Sequence, residues 1–142
     1  MYKVEKTVYG SRITLGGTLT LEEAQQFSAE VAELRASAPG PRGSIVDIRT
    51  LVPPESKVVE IITQALGQAE ASGVTRVAIL VNSPVVKGQA IQVAFLAEAV
   101  ELIRYFDVSK IENWEELSLD WIVNGVEPDI SMTTSRVRIF DI

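Results

Sequence analysis

Neither histidine nor cysteine occurs anywhere in the 142 residues. That double absence removes the usual neutral-pH general base, thiol nucleophiles, disulfides, the common zinc and iron ligand sets and any Ser-His-Asp triad. Carboxylates, lysine, tyrosine, serine and threonine remain, and none falls in a spacing that marks an active site. The nearest approach to a catalytic set is Asp47, Glu55 and Asp107 with Lys57 or Lys87. Paired carboxylates run hydrolysis only in a cleft that gives them opposed environments, and no spacing here indicates one. The expectation is a non-enzymatic protein with no catalytic residue, no metal and no cofactor.

Positive charge is also scarce. Thirteen basic residues stand against 19 acidic ones, for a net charge of −6, which repels phosphate backbones and anionic membrane surfaces. Arg136 and Arg138 are too small a basic patch to reverse that, so neither nucleic acid nor membrane is an expected partner. Long apolar runs are missing too, since the stretch from Val93 to Ile103 is interrupted by Glu98 and Glu101. Lys3, Glu5 and Lys6 stand where a signal peptide would need apolar residues, and the expected location is the cytoplasm. With 46% apolar residues the length suits one well-buried core and a single domain.

What is present reads as alternating strands and helices. Residues 2 to 9 and 12 to 19 form two strands joined by a two-residue Gly10-Ser11 link. Gly16-Gly17 in the second strand implies a bulge or a close backbone approach, and lacks the Gly-Lys-Ser/Thr ending of a phosphate loop. Thr20 and Glu23 make a capping box, after which Leu21, Ala24, Phe27, Val31 and Leu34 recur at helical spacing to about Ser37. A strand over Ser44 to Ile48 follows, then a second helix from about Pro54–Ser56 to Ser72 with Gly73 after its end. The continuous apolar run from Arg76 to Val81 reads as a central strand beside parallel neighbours. A third helix over Lys87 to Arg104, a short edge strand over Tyr105 to Asp107, and a fourth helix capped by Ser109 with Glu112 and ending at Asn124-Gly125 complete the order β-β-α-β-α-β-α-β-α. The predicted fold is α/β, with a mixed sheet that begins antiparallel and is parallel at its centre, and about four helices mainly on one face. Residues 1 to 125 form the domain, and 126 to 142 a partly ordered extension with a strand-like RVRIF.

This order, together with GGTLT before the first helix, IVDIR running into a loop, RVAILVNSP, RYFDV and the WEEL helix start, resembles the STAS superfamily over residues 2 to about 124. The nearest likeness is to the stand-alone bacterial STAS/SEC14-like, or anti-sigma-antagonist-like, proteins. The resemblance implies a regulatory module that docks to a protein partner, either a kinase or an anti-sigma-type regulator. In phosphoregulated members an Asp-Ser-Ser/Thr-Gly motif opens the second helix. Here the stretch reads Pro53-Pro54-Glu55-Ser56-Lys57-Val58, with Glu55-Ser56 in the place of Asp-Ser and Val58 in the place of the glycine. Ser56 is therefore the candidate phosphosite, where a phosphate would meet the positive end of the helix. A helix N-cap or first-turn role explains the same serine without phosphate.

Three further features carry alternatives. On the third helix, Ile91, Phe95, Ala99 and Leu102 form one apolar stripe and Val93, Leu96, Val100 and Ile103 another. One stripe packs on the sheet, and the other needs cover from the fourth helix or from a second molecule. A homodimer with Val93, Leu96, Val100 and Ile103 at its interface is expected. Asp47, Arg49, Glu55, Asn82 and Ser83 lie at the C-terminal ends of strands, where α/β sheets bind ligands, and form a candidate rim. Asp47 and Arg49 share one side of their strand and also read as a structural ion pair. A small-molecule module, for a lipid or a nucleotide, would instead show a cavity beneath the third helix. Trp114, Leu117 and Trp121 recur at the spacing of a core-packing helix face.

Overall fold

The structure is a computed structural model that describes residues 1–38 and 40–129. The RVRIF segment and the rest of the expected extension from residue 130 onward lie outside the described residues. Five strands form one sheet whose spatial order equals the chain order. Strands β1 (Tyr2–Lys6) and β2 (Gly10–Leu15) pair antiparallel, with Tyr2 opposite Leu15 and Lys6 opposite Ser11. Strands β3 (Arg42–Asp47), β4 (Val74–Val81) and β5 (Ile103–Asp107) then add in parallel. The chain is α/β with a mixed sheet.

The hairpin departs from expectation by two residues. The tight link is Val8-Tyr9, closed by Thr7 and Gly10, which exchange backbone hydrogen bonds of 3.0 and 3.3 Å. Gly10 is needed for a different contact. Its φ is +146°, and a Cβ there would lie 2.0 Å from the carbonyl oxygen of Gly43, so only glycine lets β3 come alongside at this point. Gly16 and Gly17 serve a close approach as the sequence indicates: a Cβ on Gly16 would meet Thr50 Oγ1 at 2.5 Å, and Gly17 bridges Leu51.

Parallel strands must be joined by crossovers, and crossovers of one hand that step steadily along a sheet all fall on the same face. Helices α1 (Leu21–Ser37), α2 (Ser56–Gly67) and α3 (Pro84–Leu96) obey this. Phe27 and Val31 of α1, Val58 and Ala65 of α2, and Val86 and Ala94 of α3 share one core with Ile13, Leu15, Val77, Ile79 and Val81. Helix α4 (Trp114–Asn124) follows the last strand and packs alone on the opposite face, where Trp121 and Ile122 meet Ile45, Ala78, Leu80 and Phe106. β4 is thus covered on both sides, which is why its sequence is apolar without alternation.

Helix ends follow local chemistry. Thr20 Oγ1 accepts the Glu23 amide at 3.1 Å while Glu23 Oε1 accepts the Thr20 amide at 3.1 Å, the reciprocal capping box expected at α1. α2 stops at Gly67, short of Ser72, because residues 68–73 wind on as successive tight turns, with Ala69 bonding to Leu66 and Gly73 to Glu70. α3 starts three residues earlier than expected, at Pro84 behind the Ser83 cap, and ends at Leu96 instead of Arg104. Glu98 adopts a left-handed φ of 55°, the Ala99 amide bonds back to Ala94, and a short 3₁₀ turn at Val100–Leu102 leads into β5. Ser109 does not cap α4. Its amide and hydroxyl donate to Asp107 Oδ1 at 3.0 and 2.6 Å, and Asn113 occupies the cap position. Gly125, with φ of 67°, closes α4 as its amide and that of Val126 bond back to Trp121 and Asp120.

Phe106 and Leu80 are the largest fully buried side chains on the α4 face. Phe106→Ala is expected to destabilise by about 3–5 kcal/mol, and Thr20→Ala by about 1 kcal/mol through the lost cap, each measured as a shift in the urea unfolding midpoint.

Candidate functional site

β3 delivers Asp47 at its C-terminal end, on the α4 side of the sheet. Both carboxylate oxygens are engaged. The Arg49 amide and Nε donate to Oδ1 at 3.1 and 3.0 Å, Arg49 Nη2 to Oδ2 at 2.8 Å, and Arg12 Nη2 to Oδ2 at 3.1 Å. Burial pushes the Asp47 pKa up, but the hydrogen bonds from Arg49 and the charges of Arg49 and Arg12 outweigh it and hold the carboxyl below the ordinary aspartate value. The Arg49 guanidinium also lies over the Trp114 ring, 4.8 Å from its centroid. Asp47 and Arg49 therefore form the ion pair that their spacing allows, tied through Trp114 to the start of α4.

The rest of the expected rim is not gathered into a pocket. Glu55 is the exposed N-cap residue of α2 and makes no side-chain cap bond. Asn82 is exposed, and Ser83 caps α3 by accepting the Val86 amide at 3.4 Å. Lys87 does come near Asp107. Its pKa is lowered mainly by burial, with Asp107 opposing that shift and Lys110 adding to it. Among the described residues no group of three or more acidic side chains is placed to hold a metal ion. Ser56 is exposed at the first position of α2, one residue inside the Glu55 cap, so it does not serve as the N-cap.

The four expected interface residues divide. Ile103 belongs to β5, pairs with Val77 and is 1% exposed; Val93 is half-buried and points inward. Neither lies on an outer face, because the helix ends at Leu96 and the apolar pattern beyond it belongs to a strand. Leu96 is 65% exposed and Val100 40%. Phe95, read from the sequence as sheet-packing, is 63% exposed, and Val85 and Ile91 are also exposed. Helix α4 lies across the sheet and covers none of them. At the centre of this outer face is Gly88, where an added Cβ would meet nothing within 4 Å. A glycine inside a helix with open space around it was the one sequence signal for this face that periodicity overlooked.

The inner face of α3 borders a cavity of about 100 Å³ between the sheet and helices α1, α2 and α3. None of Asp47, Arg49, Glu55, Asn82 and Ser83 lines it. The loop after β3 contributes Leu51 and Pro54 in place of the polar residues that the sequence singled out. No protein-family model, no curated protein and no solved structure matches the chain. Among the described residues no helix is long and apolar enough to cross a membrane.

Because the Asp47 pKa is depressed in the folded state, its contribution to stability is fully present above the unfolded value of about 3.9 and is lost as pH falls through the lower folded value. Asp47→Asn is expected to cost about 1–3 kcal/mol at pH 7. Urea unfolding repeated from neutral pH to below the unfolded value should show a shallower acid loss in the variant than in the parent.

Proposed function

We propose that this chain is a non-catalytic, STAS-like interaction and regulatory module of the cytoplasm that works by docking the outer face of α3 against the same face of a second copy. The observation that carries this reading is the exposure of Phe95 and Leu96 around Gly88. A helix apolar around most of its circumference is ordinarily buried on every side, and none of the described residues lies over the outer half of α3. Glycine in mid-helix costs roughly 0.5–1 kcal/mol against alanine. Nothing among the described residues requires it at position 88, whereas a second helix crossing there would need the room.

The occupant is a second copy because the face offers no charge of either sign. Pro84, Val85, Gly88, Ile91, Gln92, Phe95 and Leu96 make up the outward side of α3, so a charged partner finds little to read, while a two-fold helix pair needs only self-complementarity. The wider regulatory reading is supported by the resemblance of the GGTLT, IVDIR and RVAILVNSP segments and by the exposed hydroxyl of Ser56, the position at which a partner kinase would act.

Sedimentation equilibrium at tens of micromolar is expected to give twice the 15.5 kDa chain mass, and Phe95→Glu to return it to a monomer. Gly88→Ala should weaken the dimer while raising the stability of the dissociated chain by about 0.5–1 kcal/mol. A parent protein that stays monomeric throughout overturns the proposal.

A further inference from the structure

The cavity beneath α3 has a lopsided chemistry. Its wall is aliphatic and aromatic, with Phe27 and Val31 from α1, Ile62 and Leu66 from α2, Ile79 from β4 and Val93 from α3. Only two polar residues line it, Arg35 and Gln89. Each has unmet hydrogen-bonding capacity. Gln89 Oε1 is buried and has no hydrogen-bond partner among the described residues, a state that costs about 1–3 kcal/mol until a donor meets it.

Arg35 donates Nη1–H to the Ala65 carbonyl at 2.6 Å. Among the described residues no carboxylate lies within 4 Å of it. The charge that does bear on it is Arg42, of the same sign, whose own donors go to the carbonyls of Ala38, Gly40, Arg35 and Ser72. Burial, with the repulsion of Arg42, pulls the Arg35 pKa down to about 10, which still leaves it charged at neutral pH. An apolar cavity thus has a cation in its wall with no counter-ion among the described residues.

The ligand class follows from charge and size. A guanidinium offers a planar pair of donors that matches a carboxylate, and a singly charged carboxylate loses less hydration on entering an apolar site than a multiply charged phosphate. Drug-sized and larger ligands occupy pockets of about 300–1,000 Å³, which excludes a nucleotide here. A dry apolar cavity of about 150 Å³ holds the six carbons of a benzene ring, so this one, a third smaller, suits an aliphatic chain of about four carbons. We propose that the cavity binds a short aliphatic carboxylic acid, its carboxylate on Arg35, its chain among Phe27, Val31, Ile62, Leu66 and Val93, and, where the acid carries a hydroxyl, that hydroxyl donating to Gln89 Oε1.

The test is titration of the full ¹⁵N-labelled chain with butanoate, butan-1-ol and butylammonium, followed by NMR. Butanoate should give saturable shifts in residues lining the cavity, with Kd on the order of 1 mM. Butylammonium should bind at least about tenfold more weakly. The acid 4-hydroxybutanoate should bind more tightly than butanoate and move the Gln89 side-chain amide signal. Arg35→Gln should weaken butanoate about tenfold or more while leaving butan-1-ol unchanged. Should that variant fail to fold, Ala90→Phe, which fills the cavity, should abolish binding of both acid and alcohol. Absence of saturable shifts at about 10 mM butanoate, equal binding of butylammonium, or butanoate binding that survives either substitution would overturn the proposal.

Discussion

Each crossover in this chain steps one strand further along the sheet in the same direction, and that regularity governs what is covered and what is not. With strand order equal to chain order after the hairpin, α1, α2 and α3 are laid side by side on one face. α2 has a helical neighbour on each side. Among the described residues α3 has a helical neighbour only toward α2, and α4 goes to the other face. The uncovered surface of α3 is a product of topology as much as of sequence: no rearrangement of side chains could bring α4 over it while the order of strands holds.

The two faces of the sheet are built from different chemistry. On the three-helix side the contacts are aliphatic, and side chains leave a void where they do not interdigitate fully. On the α4 side, aromatic rings alternate with guanidinium groups. Arg104 and Arg76 flank Trp121 at 4.4 and 5.9 Å, Trp121 Nε1 donates to the Val77 carbonyl at 3.0 Å, and Arg104 pairs with Glu127. Single rigid contacts of this kind fix the register of one helix without needing neighbours beside it. The apolar side holds the void and the cationic-aromatic side the directional contacts.

The sequence was legible where the determinant was local. The Thr20–Glu23 cap, the Asp47–Arg49 pair, the Gly125 stop and the unalternating RVAILV strand each depend on residues within a few positions of one another or on plain burial. It was misleading where one composition serves two structures. Leu102 and Ile103 are apolar both as a continuing helix stripe and as the entry to β5, and the break between them and α3 is made by Glu98, a residue that announces no turn. Ser109 has the look of a helix cap but is satisfied by Asp107 behind it. The cavity was least legible, since a void reflects how side chains from six elements fail to fill a space, and no single residue encodes it.

Arg42 bears on the lifetime of the fold. Its guanidinium gathers carbonyls from the end of α1, from the turn before β3 and from the turn before β4, three segments that meet only when the crossovers on both sides of β3 are complete. Contacts of that kind cannot help a partly assembled chain, because closing the long connections precedes them. They act instead on the reverse step, where opening the corner strands a buried cation without its acceptors. Arg42 is therefore a latch on escape from the native state, setting how long the fold lasts more than how quickly it forms.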